Sequence, residues 1–288
     1  MASVRYSFTQ SLHQTQFLFD DTRMNRAACL ILDWQPYELA LLQQLCQRLQ
    51  QVQSQNVVDV YDLLKFRDQL GLLCEHPPGA ALILESSLNA WLKTSFAMAN
   101  AICDLHKQQL THGNILQRSW SRDEEGILNL HSFSRASKLN APEHQQADLL
   151  AVKGLISSIR GVAVPMPLLG AIQSAETAET LKNLLAGELL RDQHRGQLLF
   201  GGTVTVLDRS NRSLALTHPL GFAALTLTYT GTSFVASVVS GEVLVNNVVL
   251  QPLQALPGAC VLALGYKERK FQERFFLSWE QSSPEIVQ

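Results

Sequence analysis

The chain has 288 residues, of which 46% are hydrophobic and 17% charged, and its formal net charge is −2. That length accommodates two domains at roughly 100–200 residues each, with enough apolar content for two cores. The near-neutral charge argues against nucleic-acid binding through phosphate neutralisation, and no apolar run approaches the roughly 18 residues of a membrane span.

The opening MASVRYSFTQ lacks an apolar stretch behind a basic start, so no signal peptide is expected. Short apolar runs at 16–19 and 27–32 predict strands separated by a polar turn at 20–26, and residues 11–14 form a turn before them. Leu39, Leu42, Leu45, Cys46 and Leu49 recur near a 3.6-residue period, which predicts a helix over 37–51. Its glutamines, continuing to Gln55, read either as an interaction face or as an ordinary polar helix face. Strands follow at 57–64 and 70–75, then an amphipathic helix ending at 101–106, and a tight turn at His112, Gly113 and Asn114. Two short strands, 114–116 and 127–130, are joined by the polar turn 121–126. Helices are expected over 146–159, 168–174 and 177–190, with a Pro-bearing loop at 162–167.

Around 191–196 helical periodicity stops, and β-branched residues and turn signals take over. Strands are expected at 198–207, 213–217, 223–229, 233–239, 244–249, 261–264 and 271–279, which predicts an all-β sandwich. The run Lys267, Glu268, Arg269, Lys270 reads as a solvated hairpin tip. Five cysteines, Cys29, Cys46, Cys74, Cys103 and Cys260, contain no CxxC pair and lie mostly in apolar segments. Reduced core thiols in the cytoplasm are the expectation. The eight histidines show no zinc spacing, so no metal site is expected.

The segment LHKQQLTHGNILQRSWSRDEEGILNLHSFS, with what flanks it, resembles the catalytic core of the protein-kinase superfamily. The resemblance sets Asn114 where the catalytic-loop Asp accepts the substrate proton, and Ser119 where an Asn binds the second metal ion. Ser132 then stands for the magnesium-binding Asp and Ser134 for the Gly after Phe133. Ile31 falls at the phosphate-pairing Lys, and Glu38 at that Lys's helix partner. Without a cation at 31, Glu38 reads as a solvated residue or as a remnant of the pair. No glycine lies between Ser7 and Asp21, so the phosphate-cradling loop is missing. Ala141, Pro142 and Glu143 match the tripeptide closing the activation segment. Asp148 matches the Asp that supports the catalytic-loop backbone, though an acid near a helix N-terminus is also favoured by the macrodipole. ATP and magnesium binding are not expected, and neither is phosphoryl transfer.

The ending VLVNNVVLQPLQALPGACVLALG resembles a forkhead-associated (FHA) domain. Arg209 and Ser210 fall near that family's phosphate-contacting turn, but Asp208 replaces its Gly. Phosphothreonine reading needs donors on converging loops, so Arg209, Ser210, Asn211, Arg212, Asn246 and Asn247 are a remnant phosphopeptide or partner surface at most.

The resemblances imply a multidomain α+β and all-β chain. A protein-kinase-like bilobal domain with a shortened C-lobe spans 1–192 (small lobe 1–76, large lobe 77–192), an FHA-like β-sandwich spans 196–282, and 283–288 form a tail. They imply an inactive pseudokinase scaffold or adaptor with no cofactor, bound to protein partners and not to nucleic acid, in bacterial signalling such as control of type VI secretion. A structural subunit of a larger assembly and an atypical nucleotide-binding enzyme are the alternatives.

Overall fold

The computed structural model describes residues 5–13, 16–32, 39–76, 85–123, 125–133, 135–136, 142–266 and 274–284. The chain divides between Leu185 and Ala186 into two compact units. The expectations at Glu38, Ser134 and Ala141, and for the tip at 267–270, lie outside the described residues.

The first unit begins with three antiparallel strands, β1 (Tyr6–His13), β2 (Gln16–Asp21) and β3 (Arg26–Leu32). After α1 (Leu39–Leu49) come β4 (Val60–Phe66) and β5 (Gln69–Glu75), completing a five-stranded sheet in the order β1-β2-β3-β5-β4. Residues 11–13 therefore end a strand, where the sequence suggested a turn, because they pair with Gln16 and Phe17. Side chains alternate across the sheet with period two. One face carries Phe17, Phe19, Ala28, Leu30 and Leu73, packed with Phe66 and Tyr61. Leu42, Leu45, Cys46 and Leu49 form the buried stripe of α1, as its periodicity predicts.

The most buried helix is α2 (Leu88–Lys107), capped by the Ser87 side chain, which accepts from Ala90 N–H at 3.2 Å. The hairpin that follows differs from the expectation. Its strands are β6 (Trp120–Arg122) and β7 (Leu128–Leu130), and residues 114–116 are not a strand. Ser119 Oγ accepts from Leu116 N–H and donates to Asn114 O, which folds 114–119 into a local turn instead. Three helices follow: α3 (Pro142–Ser158), α4 (Met166–Ser174) and α5 (Ala178–Leu189), the last turn of which belongs to the second unit. Helix α4 starts inside the expected Pro loop, since proline is well tolerated in a first turn where N–H groups lack intrahelical partners. Buried Lys153 of α3 donates to Gln173 O at 2.9 Å and to Ala175 O, satisfying carbonyls at the end of α4. No helix among the described residues is long and apolar enough to cross a membrane.

The second unit is built from two antiparallel sheets. One contains β8 (Arg195–Phe200), β9 (Thr203–Leu207), β13 (Val243–Val245), β14 (Val248–Val249), β16 (Ala259–Leu264) and β17 (Phe275–Ser282), in the order β14-β13-β16-β17-β8-β9. The other contains β10 (Ser213–Thr217), β11 (Ala224–Tyr229), β12 (Phe234–Ser240) and β15 (Gln254–Ala255) in chain order. Residues from both, among them Leu207, Leu225, Leu227, Phe234, Leu262 and Trp279, share one core, giving a sandwich. Two predicted strands are hairpins instead. Gly201 and Gly202, both at positive φ, split 198–207, and Asn246 and Asn247 at φ 49° and 66° split 244–249. Paired left-handed residues reverse a chain with the twist that antiparallel strands need.

Candidate functional site

Asp148, in the second turn of α3 and only 2% exposed, organises the loop between α2 and β6. Its carboxylate accepts from His112 N–H at 2.7 Å and Gly113 N–H at 2.9 Å, and His106 Nε2 lies 3.5 Å away. Gly113 has φ 73°, and a Cβ there would meet Arg135 O at 2.5 Å, so the turn requires glycine. His112 is fully buried. Its Nε2–H donates to His131 O at 2.9 Å, leaving Nδ1 to accept from Asn114 N–H at 3.4 Å. Burial holds its pKa below the ordinary value, so the ring is neutral and serves as a strut.

Three of the expected catalytic positions, Asn114, Ser119 and Ser132, are brought together here. Ser119 is buried and bonded to Asn114 O, and His131 N–H donates to Ser119 O at 2.9 Å. The Ser132 hydroxyl lies 2.7 Å from His131 Nδ1 and 3.5 Å from Gln16 Nε2. Burial, then the neighbouring His112 and His76, push His131 down to about 4. These contacts join neutral groups, and the set offers no carboxylate to a cation. Among the described residues no three or more His, Cys, Asp or Glu side chains are grouped to hold a metal ion.

Ile31 projects into a cavity that it lines with Cys29 of β3, Cys74 and His76 at the end of β5, and Arg118, Trp120 and His131. Its volume is about 230 Å³, against roughly 300–1,000 Å³ for sites that enclose small organic ligands. A second concavity of about 520 Å³ is open and polar, lined by Gln44, Gln47, Arg48 and Gln51 of α1 with Lys107, Gln108 and Gln109. Arg48 donates to Gln108 O at 3.1 Å across it.

In the second unit the expected surface residues are dispersed and occupied. Asp208 Oδ1 accepts from Ser210 N–H at 2.8 Å, Ser210 Oγ at 2.5 Å and Asn211 N–H at 3.1 Å. An in-chain carboxylate thus takes the donors that an external phosphate would need. These hydrogen bonds, the one from Ser210 Oγ foremost, hold the Asp208 pKa below its ordinary value. Arg212 donates to Asp192 at 2.6 Å, and Asn211 Nδ2 to Val206 O at 2.7 Å. Arg209 is exposed. Asn246 Oδ1 accepts from Val261 N–H at 2.9 Å, extending the β13–β16 pairing past the end of β13, and Asn247 is an exposed turn residue. Strands β16, β17 and β8 separate β13 from β9. At about 4.8 Å per strand the two turns leave the sheet roughly 19 Å apart, so Arg209 and the Asn246–Asn247 turn do not share one site.

Sequence reasoning missed His131 and the facing of Cys29 with Cys74. Each depends on partners distant in the chain, and no local spacing signals them. The chain matches no protein-family model, and no curated protein matches it.

Proposed function

We propose that the chain is a catalytically inactive, protein-kinase-like scaffold joined to a degenerate FHA-like module, and that it acts by binding other proteins. The observation that carries this reading is the Asp148 loop. A buried carboxylate keeps the backbone of His112 and Gly113 in place, while the positions that would handle a proton and a metal are Asn114, Ser119 and Ser132. Phosphoryl transfer depends on positioning and on metal-borne charge neutralisation, and a neutral amide with two hydroxyls supplies neither a base nor a magnesium ligand set. Further support comes from a five-stranded antiparallel sheet with a helix between its third and fourth strands, followed by helices. The two-sheet second unit fits the FHA resemblance, and the Asp208 turn fits its degeneracy. The polar concavity on the glutamine-bearing face of α1 is the surface we assign to a protein partner. The setting we infer is cytoplasmic bacterial signalling, with control of a secretion machine such as type VI as its leading form.

The test is a thermal-shift titration with ATP and magnesium beside a radiolabelled phosphate-transfer assay. Bound ligand stabilises the folded state by mass action, so the expected result is no magnesium-dependent shift and no transfer. A saturable shift, or label on any acceptor, replaces this reading with that of an atypical nucleotide-binding enzyme.

A further inference from the structure

The antiparallel register of β3 and β5 sets Cys29 directly opposite Cys74, between the pairs Ala28–Glu75 and Leu30–Leu73. Directly opposed residues lie on the same face of a sheet, with Cα atoms about 4.5 or 5.5 Å apart. Both separations fall within the roughly 4.4–6.8 Å that a disulfide spans. Cys74 Sγ already reaches across the pair, donating to Cys29 O at 3.4 Å. Both side chains line the 230 Å³ cavity, beside His76 and His131. All five cysteines are free thiols.

We propose that Cys29 and Cys74 form a peroxide-reactive dithiol site whose oxidised form is a cross-strand disulfide in the wall of this cavity. The chemistry balances in two steps. The Cys29 thiolate attacks one oxygen of hydrogen peroxide, the O–O bond breaks, and hydroxide leaves, giving a sulfenic acid at Cys29. The Cys74 sulfur then attacks Cys29 Sγ, the S–O bond breaks, and the Cys74 proton departs with that oxygen as water. Two electrons pass from the thiol pair to the peroxide.

Thiol chemistry separates Cys29 from the other four cysteines, Cys74 being raised well above its ordinary value by its hydrogen bond with Cys29 and then by burial. The hydrogen bond from Cys74, then the neighbouring His76, lowers the Cys29 pKa against the opposing effect of burial. Burial pushes Cys46 and Cys260 up to about 11 and raises Cys103 as well. The thiolate is the reactive form, which favours Cys29. Burial also limits access: Cys29 is 5% exposed and Cys74 1%, so a small peroxide reaches the pair more readily than a tripeptide disulfide.

The experiment treats the reduced full-length chain with stoichiometric hydrogen peroxide, alkylates the remaining thiols, and maps peptides by mass spectrometry. The expected product has lost two hydrogens, carries a Cys29–Cys74 cross-link, and reverts with dithiothreitol. Oxidised glutathione at equal concentration should form it at least about tenfold more slowly, because access limits exchange. Cys29→Ser and Cys74→Ser should each abolish the cross-link, and Cys46→Ser should leave it unchanged. The proposal is overturned if the pair stays reduced, if Cys46, Cys103 or Cys260 oxidises as fast, or if Cys29 over-oxidises while Cys74 remains a thiol. The wild-type map decides the matter alone should a variant fail to fold.

Discussion

Two aspartates perform the same chemistry in the two units, with different consequences. Asp148 and Asp208 each hold a turn by accepting hydrogen bonds from successive backbone N–H groups. Asp148 reaches His112 and Gly113, 36 and 35 residues away, from a buried helix. Asp208 reaches Ser210 and Asn211, two and three residues away, at the surface. The first ties tertiary structure together, and at buried His112 water cannot replace a lost acceptor. The second shapes a turn whose N–H groups would find water without it. Burial and chain distance, more than the bond itself, decide what each is worth.

That contrast can be broken at its strong end. Asp148→Ala leaves the buried His112 N–H without its acceptor, while the exposed Gly113 N–H can turn to water, so urea denaturation should show a loss of about 1–3 kcal/mol. Asp148→Asn, which keeps one acceptor, should lose less than Asp148→Ala. Equal effects from the two substitutions would mean that the carboxylate's charge and second oxygen, not its volume or a single acceptor, hold the loop.

Acid should separate the units next. His131 is held at about 4 in the folded chain against an ordinary 6.5. Between those values the unfolded chain binds a proton that the folded one refuses. The stabilisation is therefore complete above 6.5 and lost as pH falls towards 4. His112 acts with the same sign. Asp208 acts with the same sign in a more acid window: its pKa is depressed below 3.8, so its contribution persists until pH falls through that region. Hydrogen exchange at pH 7 and pH 5 should show protection lost across 110–133 and retained across 203–212. Equal loss in both segments would remove the distinction.

Smaller effects sharpen the weak end. Asp208→Ala should speed exchange at Ser210 and Asn211 and leave the second unit's unfolding midpoint nearly unchanged. Arg209→Ala should stay within about 0.5 kcal/mol of the parent, as exposed substitutions away from special features do. A larger loss would give Arg209 a structural role that its exposure does not suggest.

Much of the architecture was legible in the residues. The stripe of α1, the change of texture near 191–196 and strand β10 follow from periodicity and turn chemistry that act over a few residues. The misread strands share one cause. Gly201 with Gly202, and Asn246 with Asn247, sit inside apolar runs whose hydrophobicity continues on both sides, so the turn signal was outweighed. The 114–116 segment is apolar enough for a strand, but the Ser119 side chain captures its backbone. Asp148 could be nominated only through the resemblance, as an acid early in a helix, while its partners at His112 and Gly113 could not be read from spacing.

By itself, the order of side chains determined the stripe of α1, the strand-rich texture beyond 191–196, and where neutral residues stand at Ile31, Asn114, Ser119 and Ser132. Tertiary structure alone decided that Cys29 faces Cys74, that His112 spans from Asn114 to His131, and that Asp208 fills its own turn. The division has a physical basis. Propensity and periodicity act between neighbours along the chain, whereas sheet register and buried hydrogen bonds are fixed only when distant segments compete for the same space.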